Sequence, residues 1–188
     1  MPIPYRDAED LDELGTVAYL KIEPVADGAG YLGALFLMNA RGEPVEFTYN
    51  RIDTPNTFLW RQDDLRRHAA RKLTASLFSL CPRTPRLLLC LATEVGSELF
   101  CQDLQVSIPV CRIALASEIP TVSDTETKDM LPATEPMQVF WFPGRPAEDS
   151  IELQLLRLLA AHGLLLEPFA RASIGLHEVY RATGDKAT

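Results

Sequence analysis

Apolar residues run almost unbroken from Leu32 to Met38 (LGALFLM), and an extended segment of that kind needs cover on both faces. Leu32, Ala34, Phe36 and Met38 would point one way and Leu35 and Leu37 the other, which predicts a central strand. Asn39-Ala40-Arg41-Gly42 has Asn at the first and Gly at the fourth position of a type I turn, with Gly42 free to take the left-handed conformation that closes a bulged hairpin. Val45, Phe47 and Tyr49 then alternate with Glu46 and Thr48, as in a half-buried partner strand. Upstream, Thr16 to Val25 predicts a first strand, with Val17, Tyr19 and Lys21 on one side and Ala18, Leu20 and Ile22 on the other; Pro24 ends it or places it at an edge.

The period then changes. Leu65, Ala69, Leu73 and Leu77 recur at four-residue steps, so the spacing predicts a helix from about Thr57 to Leu80 that lies on the sheet with its arginines outward. Cys81-Pro82-Arg83-Thr84-Pro85 stops it, and the apolar run Arg86 to Ala92 predicts a second buried strand. Strand, helix, strand is a crossover, which implies a parallel pairing. Beyond Glu94 the pattern weakens. Ser97 to Gln102 suits one helical turn, and Leu104, Val106, Ile108 and Val110 alternate around Pro109, predicting an edge strand or two short strands through Leu115. Glu118 to Pro136 is polar, acidic and proline-bearing, and reads as a mobile loop. Met137 to Phe142 is a last strand, followed by helices over Ala147 to His162 and Glu167 to Tyr180. The fold class expected is α/β: a mixed sheet of about five strands with an N-terminal β-hairpin, a long crossover helix and a C-terminal helical pair. The expected domain plan is an acidic arm over 1–14, an α/β core over 15–146 and a helical segment over 147–188 packed on that core.

Composition adds limits rather than chemistry. At 188 residues the chain is long enough to bury roughly 70% of its unfolded surface without a metal or disulfide staple. No apolar run approaches a bilayer span, and MPIPYRDAEDLDEL is acidic where a signal peptide would be basic, so a cytoplasmic protein is expected. A net charge of −8 argues against the whole surface serving as a nucleic-acid platform. The basic concentration is Arg61, Arg66, Arg67, Arg71 and Lys72, with His68, along the long helix. Cys81, Cys90, Cys101 and Cys111 form no CxxC pair and read as buried thiols in a reducing compartment.

Gly28-Ala29-Gly30-Tyr31-Leu32-Gly33 has the letters GxGxxG, with Asp53 twenty residues beyond Gly33. A dinucleotide site needs a helix directly after the glycines, and here an apolar strand and a hairpin turn follow. Neither GxxxxGK[ST], HExxH nor GxSxG occurs, and His68, His162 and His177 stand apart in sequence. Trp60 and Trp141 read as packing residues, with Trp60 beside Arg61 also suited to anchoring a partner.

The element order, together with GYLGALF as a second strand, resembles the ribonuclease H-like fold over about Thr16 to His162. The resemblance implies magnesium or manganese held by carboxylates on the first strand, at the long helix, after the fourth strand and near the last helix. The matching positions are Glu23, Asp64 (or its neighbour Asp63), Glu94 and Asp149, with Arg66, Arg67 and Arg71 to grip phosphates. Glu23 stands where the family usually has aspartate, ahead of Pro24. The preferred expectation is different: a non-catalytic interaction or assembly subunit with no catalytic residues and no cofactor. It would bind a protein partner or itself through Leu153, Leu156, Leu164 and Leu165, which lie off the single core stripe of the C-terminal helices. The metal-dependent nuclease, and an accessory subunit of a nucleic-acid-processing complex, are the alternatives.

Overall fold

In the computed structural model, residues 11–26, 28–54, 56–131 and 136–184 are described. Strands β1 (Thr16–Pro24), β2 (Gly30–Asn39) and β3 (Pro44–Asp53) form an antiparallel meander. Helix α1 (Gln62–Leu80) then crosses to β4 (Leu87–Leu91), which pairs parallel with β1, as the crossover requires. Strand β5 (Val110–Leu115) adds in parallel to β4; β6 (Thr127–Leu131) and β7 (Met137–Phe142) complete the sheet antiparallel. The order is β3-β2-β1-β4-β5-β7-β6. Helices α2 (Ile151–Ala161) and α3 (Glu167–Gly184) close the chain.

The two faces of β2 are covered as its pattern demands. Leu32, Ala34, Phe36 and Met38 belong to the core beneath α2 and α3, and Leu35 and Leu37 to the core beneath α1. Burying each such leucine is worth about 1.5–3 kcal/mol. Gly33 lets α1 come close: a Cβ there would stand 3.2–3.3 Å from Leu73 and Leu77. The hairpin turn forms as its residues predict, with Gly42 at φ +82° and a register shift between Leu37 and Met38.

Seven strands form where about five were expected, and two differences have physical causes. Strand β5 is interior, lying between β4 and β7, where the sequence pointed to an edge. Pro109 precedes it and contributes only its carbonyl, which accepts from the Leu88 N–H at 3.0 Å. Thr127–Leu131, within the stretch read as a loop, forms edge strand β6. The preceding segment is tied down by Arg112 of β5, whose guanidinium donates to the Thr121 carbonyl (2.7 Å), the Val95 carbonyl (2.9 Å) and Glu126 (2.6 and 2.8 Å). The arm expected over 1–14 falls largely outside the described residues; Leu11–Leu14 is a single 3-10 turn.

Leu153, Leu156 and Leu165 are fully buried and Leu164 partly so. This corrects their assignment to a partner surface. The second face of these segments is covered by the chain itself, since they pack with Leu11, Leu14 and Phe169 on the same core. Leu164 is fixed further by its carbonyl, which accepts the Tyr19 hydroxyl at 2.6 Å. Among the described residues no helix is long and apolar enough to cross a membrane.

Candidate functional site

In a sheet of this order the chain leaves β1 toward β2 on one side and returns through α1 to β4 on the other. The crevice at the carboxyl ends of β1 and β4 is therefore a topological switch point, where open α/β sheets place ligands. Two features meet there. One is a cleft of about 300 Å³ lined by Asp63, Arg66 and Arg67 of α1 and by Glu94, Glu98 and Arg112. The other is a set of charged groups beneath it.

Lys21 and Glu23, two apart on β1, project from the same face. The Lys21 ammonium donates to Glu94 in a close ion pair and lies 3.9 Å from Glu23. Side-chain exposures of 14% for Lys21 and 16% for each glutamate mean that these charges are largely out of water. Glu94 Oε2 also accepts the Ile22 N–H at 3.2 Å. Burial pushes the Glu94 carboxyl above its ordinary range, and the Lys21 hydrogen bond and charge and the Ile22 N–H pull it back. From α3, Ser173 Oγ donates to Glu23 Oε2 at 2.8 Å and His177 Nε2 lies 2.7 Å from Glu23 Oε1.

Of the four carboxylates matched by position, Glu23 and Glu94 come together around Lys21, and the other two do not join them. Asp64 is exposed and lines a neighbouring groove with Glu98 and Asp124; Asp63 is the helix carboxylate that reaches the Glu94 cleft. Asp149 is exposed just ahead of α2, whose first turn sets Glu152 beside Gly15, Thr16 and Arg86 at the starting ends of β1 and β4. That is the opposite end of the sheet from Glu94. Among the described residues no group of three or more His, Cys, Asp or Glu side chains is placed to hold a metal ion. The point between the two glutamates is taken by an ammonium, so the residues present do not fit a carboxylate centre built for two ions.

The basic residues divide. Arg67 is held by Asp103 (2.8 and 2.7 Å) and by Gln102 (3.2 Å), which keeps the Asp103 carboxyl below its usual range. Arg66 and Arg71 project into solvent from the same helix. At the entrance to α1, Phe58 and Leu59 are 82% and 73% exposed, and Trp60 packs on His68 with ring centroids 5.0 Å apart. Burial and the charges of Arg71 and Lys72 lower the His68 pKa. Cys90 and Cys111 are buried and all four cysteines are free; burial pushes the Cys90 thiol up to about 12, so it is no thiolate at neutral pH.

Sequence reasoning missed Lys21, Ser173 and His177. The i, i+2 spacing of Lys21 and Glu23 was a legible signal that the two share a face. The α3 residues carried none, because 150 positions separate Ser173 from Glu23.

No protein-family model matches the sequence, and no curated protein matches it. Two solved structures are similar in fold. Endonuclease V from Bacillus subtilis superposes with a TM-score of 0.55 at 15% identity, over 94% of this chain and 85% of that one. Endonuclease V from Streptomyces avermitilis gives 0.56 at 14% identity, over 93% of this chain and 91% of that one. The fold is thus ribonuclease H-like across nearly the whole chain, as the element order implied. The likeness corrects the expectation of a non-catalytic assembly subunit without a cofactor. The two similar structures, covered over 85% and 91% of their length, are endonucleases, and the leucines offered for assembly are internal.

Proposed function

We propose that the chain is a nucleic-acid-processing protein of nuclease type, with a strand running across the cleft between the start of α1 and the end of β4. The observation that carries this reading is the position of the cleft. It lies at the switch point of a sheet shared over most of its length with two endonucleases, and charged side chains line it. Arg66, Arg67 and Arg71 meet phosphates, and the exposed Phe58 offers a ring on which an unpaired base stacks. Asp63, Glu94 and Glu98 stand in the same cleft and oppose phosphate entry, so the affinity is modest and strongly dependent on salt. An accessory role, in which the strand is held for another protein to process, is favoured by one observation: Lys21 stands between the two carboxylates that converge.

Fluorescence anisotropy with labelled single-stranded and duplex DNA and RNA, between about 50 and 200 mM salt, tests the reading. Replacing Arg66, Arg67 and Arg71 together by alanine should weaken binding about tenfold or more and flatten the salt slope by roughly two to three. The helix remains folded, because all three are exposed. Failure to bind any of the four substrates, or binding untouched by the triple substitution, would reject it. Gel analysis of the same mixtures with Mg²⁺ or Mn²⁺ separates cutting from holding. Products that disappear in Glu94→Gln assign cleavage to this cleft.

A further inference from the structure

We infer that the chain docks an extended acidic peptide of a partner protein in a groove at the starting ends of β4 and β5. The inference does not rest on the nucleic-acid reading, because this groove lies at the opposite end of the sheet from the cleft. Its apolar part is a hollow of about 250 Å³ walled by Leu35 of β2, Phe78 of α1, Pro85 before β4, and Val106 and Ile108 before β5. Thr84, Pro85, Ser107 and Ile108 continue it into a wider hollow of about 460 Å³ that reaches Arg86 and Glu152. Pockets for drug-sized ligands run from about 300 to 1,000 Å³. The apolar hollow falls below that range and suits one bulky side chain carried by a longer chain.

The backbone along one wall marks the occupant as a peptide. The Leu104 N–H donates to the Leu99 carbonyl at 2.8 Å and the Pro109 carbonyl accepts from the Leu88 N–H at 3.0 Å, so the segment between them is held at both ends. From Leu104 to Ile108 half-buried and exposed residues alternate, as in a strand. Yet among the described residues the N–H and C=O groups of Gln105 to Ile108 have no partner within the chain. A segment fixed in place, with unpaired backbone groups beside an apolar hollow, is a template for strand addition. Main-chain hydrogen bonds then supply affinity and the side-chain pocket supplies selectivity. Charge selects the peptide further. Arg83 lines the apolar hollow and Arg86 the wider one; both are exposed, and neither is in an ion pair among the described residues. Glu152, in the wider hollow, is the one carboxylate lining the groove among those residues. Acidic side chains of a bound peptide therefore meet two cations without a partner of their own.

A random octapeptide library displayed on phage and panned against the full chain tests this. Enriched peptides should combine an aromatic or aliphatic residue with aspartate or glutamate, and synthetic copies should slow hydrogen exchange at the amides of Gln105 to Ile108. Reversing both charges, Arg83→Glu with Arg86→Glu, should weaken their binding at least about tenfold in fluorescence anisotropy. Both residues are exposed, so the fold is kept. Val106→Asp, which sets a carboxylate in the apolar hollow, should weaken it as well; should that variant not fold, the charge reversal still decides. No enrichment, enriched peptides without acidic residues, or binding unchanged by the charge reversal would overturn the inference. So would displacement of the peptides by single-stranded DNA, which would put them in the cleft. A dimer in sedimentation that the charge reversal dissociates would also overturn it, since a second copy would then be the occupant.

Discussion

Replacing Glu126 by alanine strands a buried guanidinium. Arg112 and Glu126 are 2% and 1% exposed, and the pair is bidentate, at 2.6 and 2.8 Å. Glu126 also accepts the Ser123 N–H at 3.0 Å. After truncation Arg112 keeps its bonds to the Val95 and Thr121 carbonyls, but its charge loses its counterion while its side chain is only 2% exposed. Breaking a buried pair in this way costs about 3 to 5 kcal/mol. With an unfolding entropy of about 2.1 cal/mol/K per residue over 188 residues, that corresponds to a fall in Tm of about 8 to 13 °C. Thermal and urea unfolding followed by circular dichroism would measure it. The double substitution Arg112→Met with Glu126→Leu should recover most of the loss, because two apolar side chains leave nothing unpaired. A cost below about 1 kcal/mol for Glu126→Ala would show that Arg112 finds water in the folded protein and would refute the reasoning. The pair also matters to the site, since Arg112 and Thr121 form part of the cleft wall.

Two further outcomes are expected. Leu156→Ala should destabilise the chain by about 2 to 5 kcal/mol in urea unfolding while leaving its mass in light scattering unchanged; a change of assembly without loss of stability would restore a partner role to that leucine. Glu94 has a folded-state pKa raised above its unfolded value of about 4.3, so its contribution is complete below that pH and is lost as pH rises through the raised pKa. Measured against Glu94→Gln, the wild type should lose relative stability as pH rises from about 4.3 through the raised pKa. A flat difference across that range would contradict the burial argument.

The cleft and the charged set share Glu94, which gives that residue two neighbourhoods. Its carboxylate is fixed from below by Lys21 and the Ile22 N–H, and the cleft with Arg66 and Arg67 lies above it. A substitution at Glu94 therefore changes both the internal charge balance and the outer surface. Arg66 and Arg71 touch only the outside, and for that reason they are the cleaner probes of strand binding.

Local pattern determined much of this protein. The uninterrupted apolar run of β2, the Asn39–Gly42 turn, the four-residue period of α1 and the breaker at Pro82–Pro85 gave the meander, the crossover and the parallel pairing, because each follows from neighbours in sequence and from the period of the backbone. The same logic rejected the glycine motif, whose residues lie in the β1–β2 turn and at the start of β2. What the chain could not declare locally was settled by long-range partners. The segment before β6 reads as loose because its composition is polar, yet it is fixed by a buried arginine on another strand. The C-terminal leucines read as surplus until the sheet and the Leu11–Leu14 turn cover them. Four carboxylates match a metal centre by order, but whether they meet depends on which end of the sheet each reaches. Asp149 lies at the far end, and an ammonium stands between the two that meet.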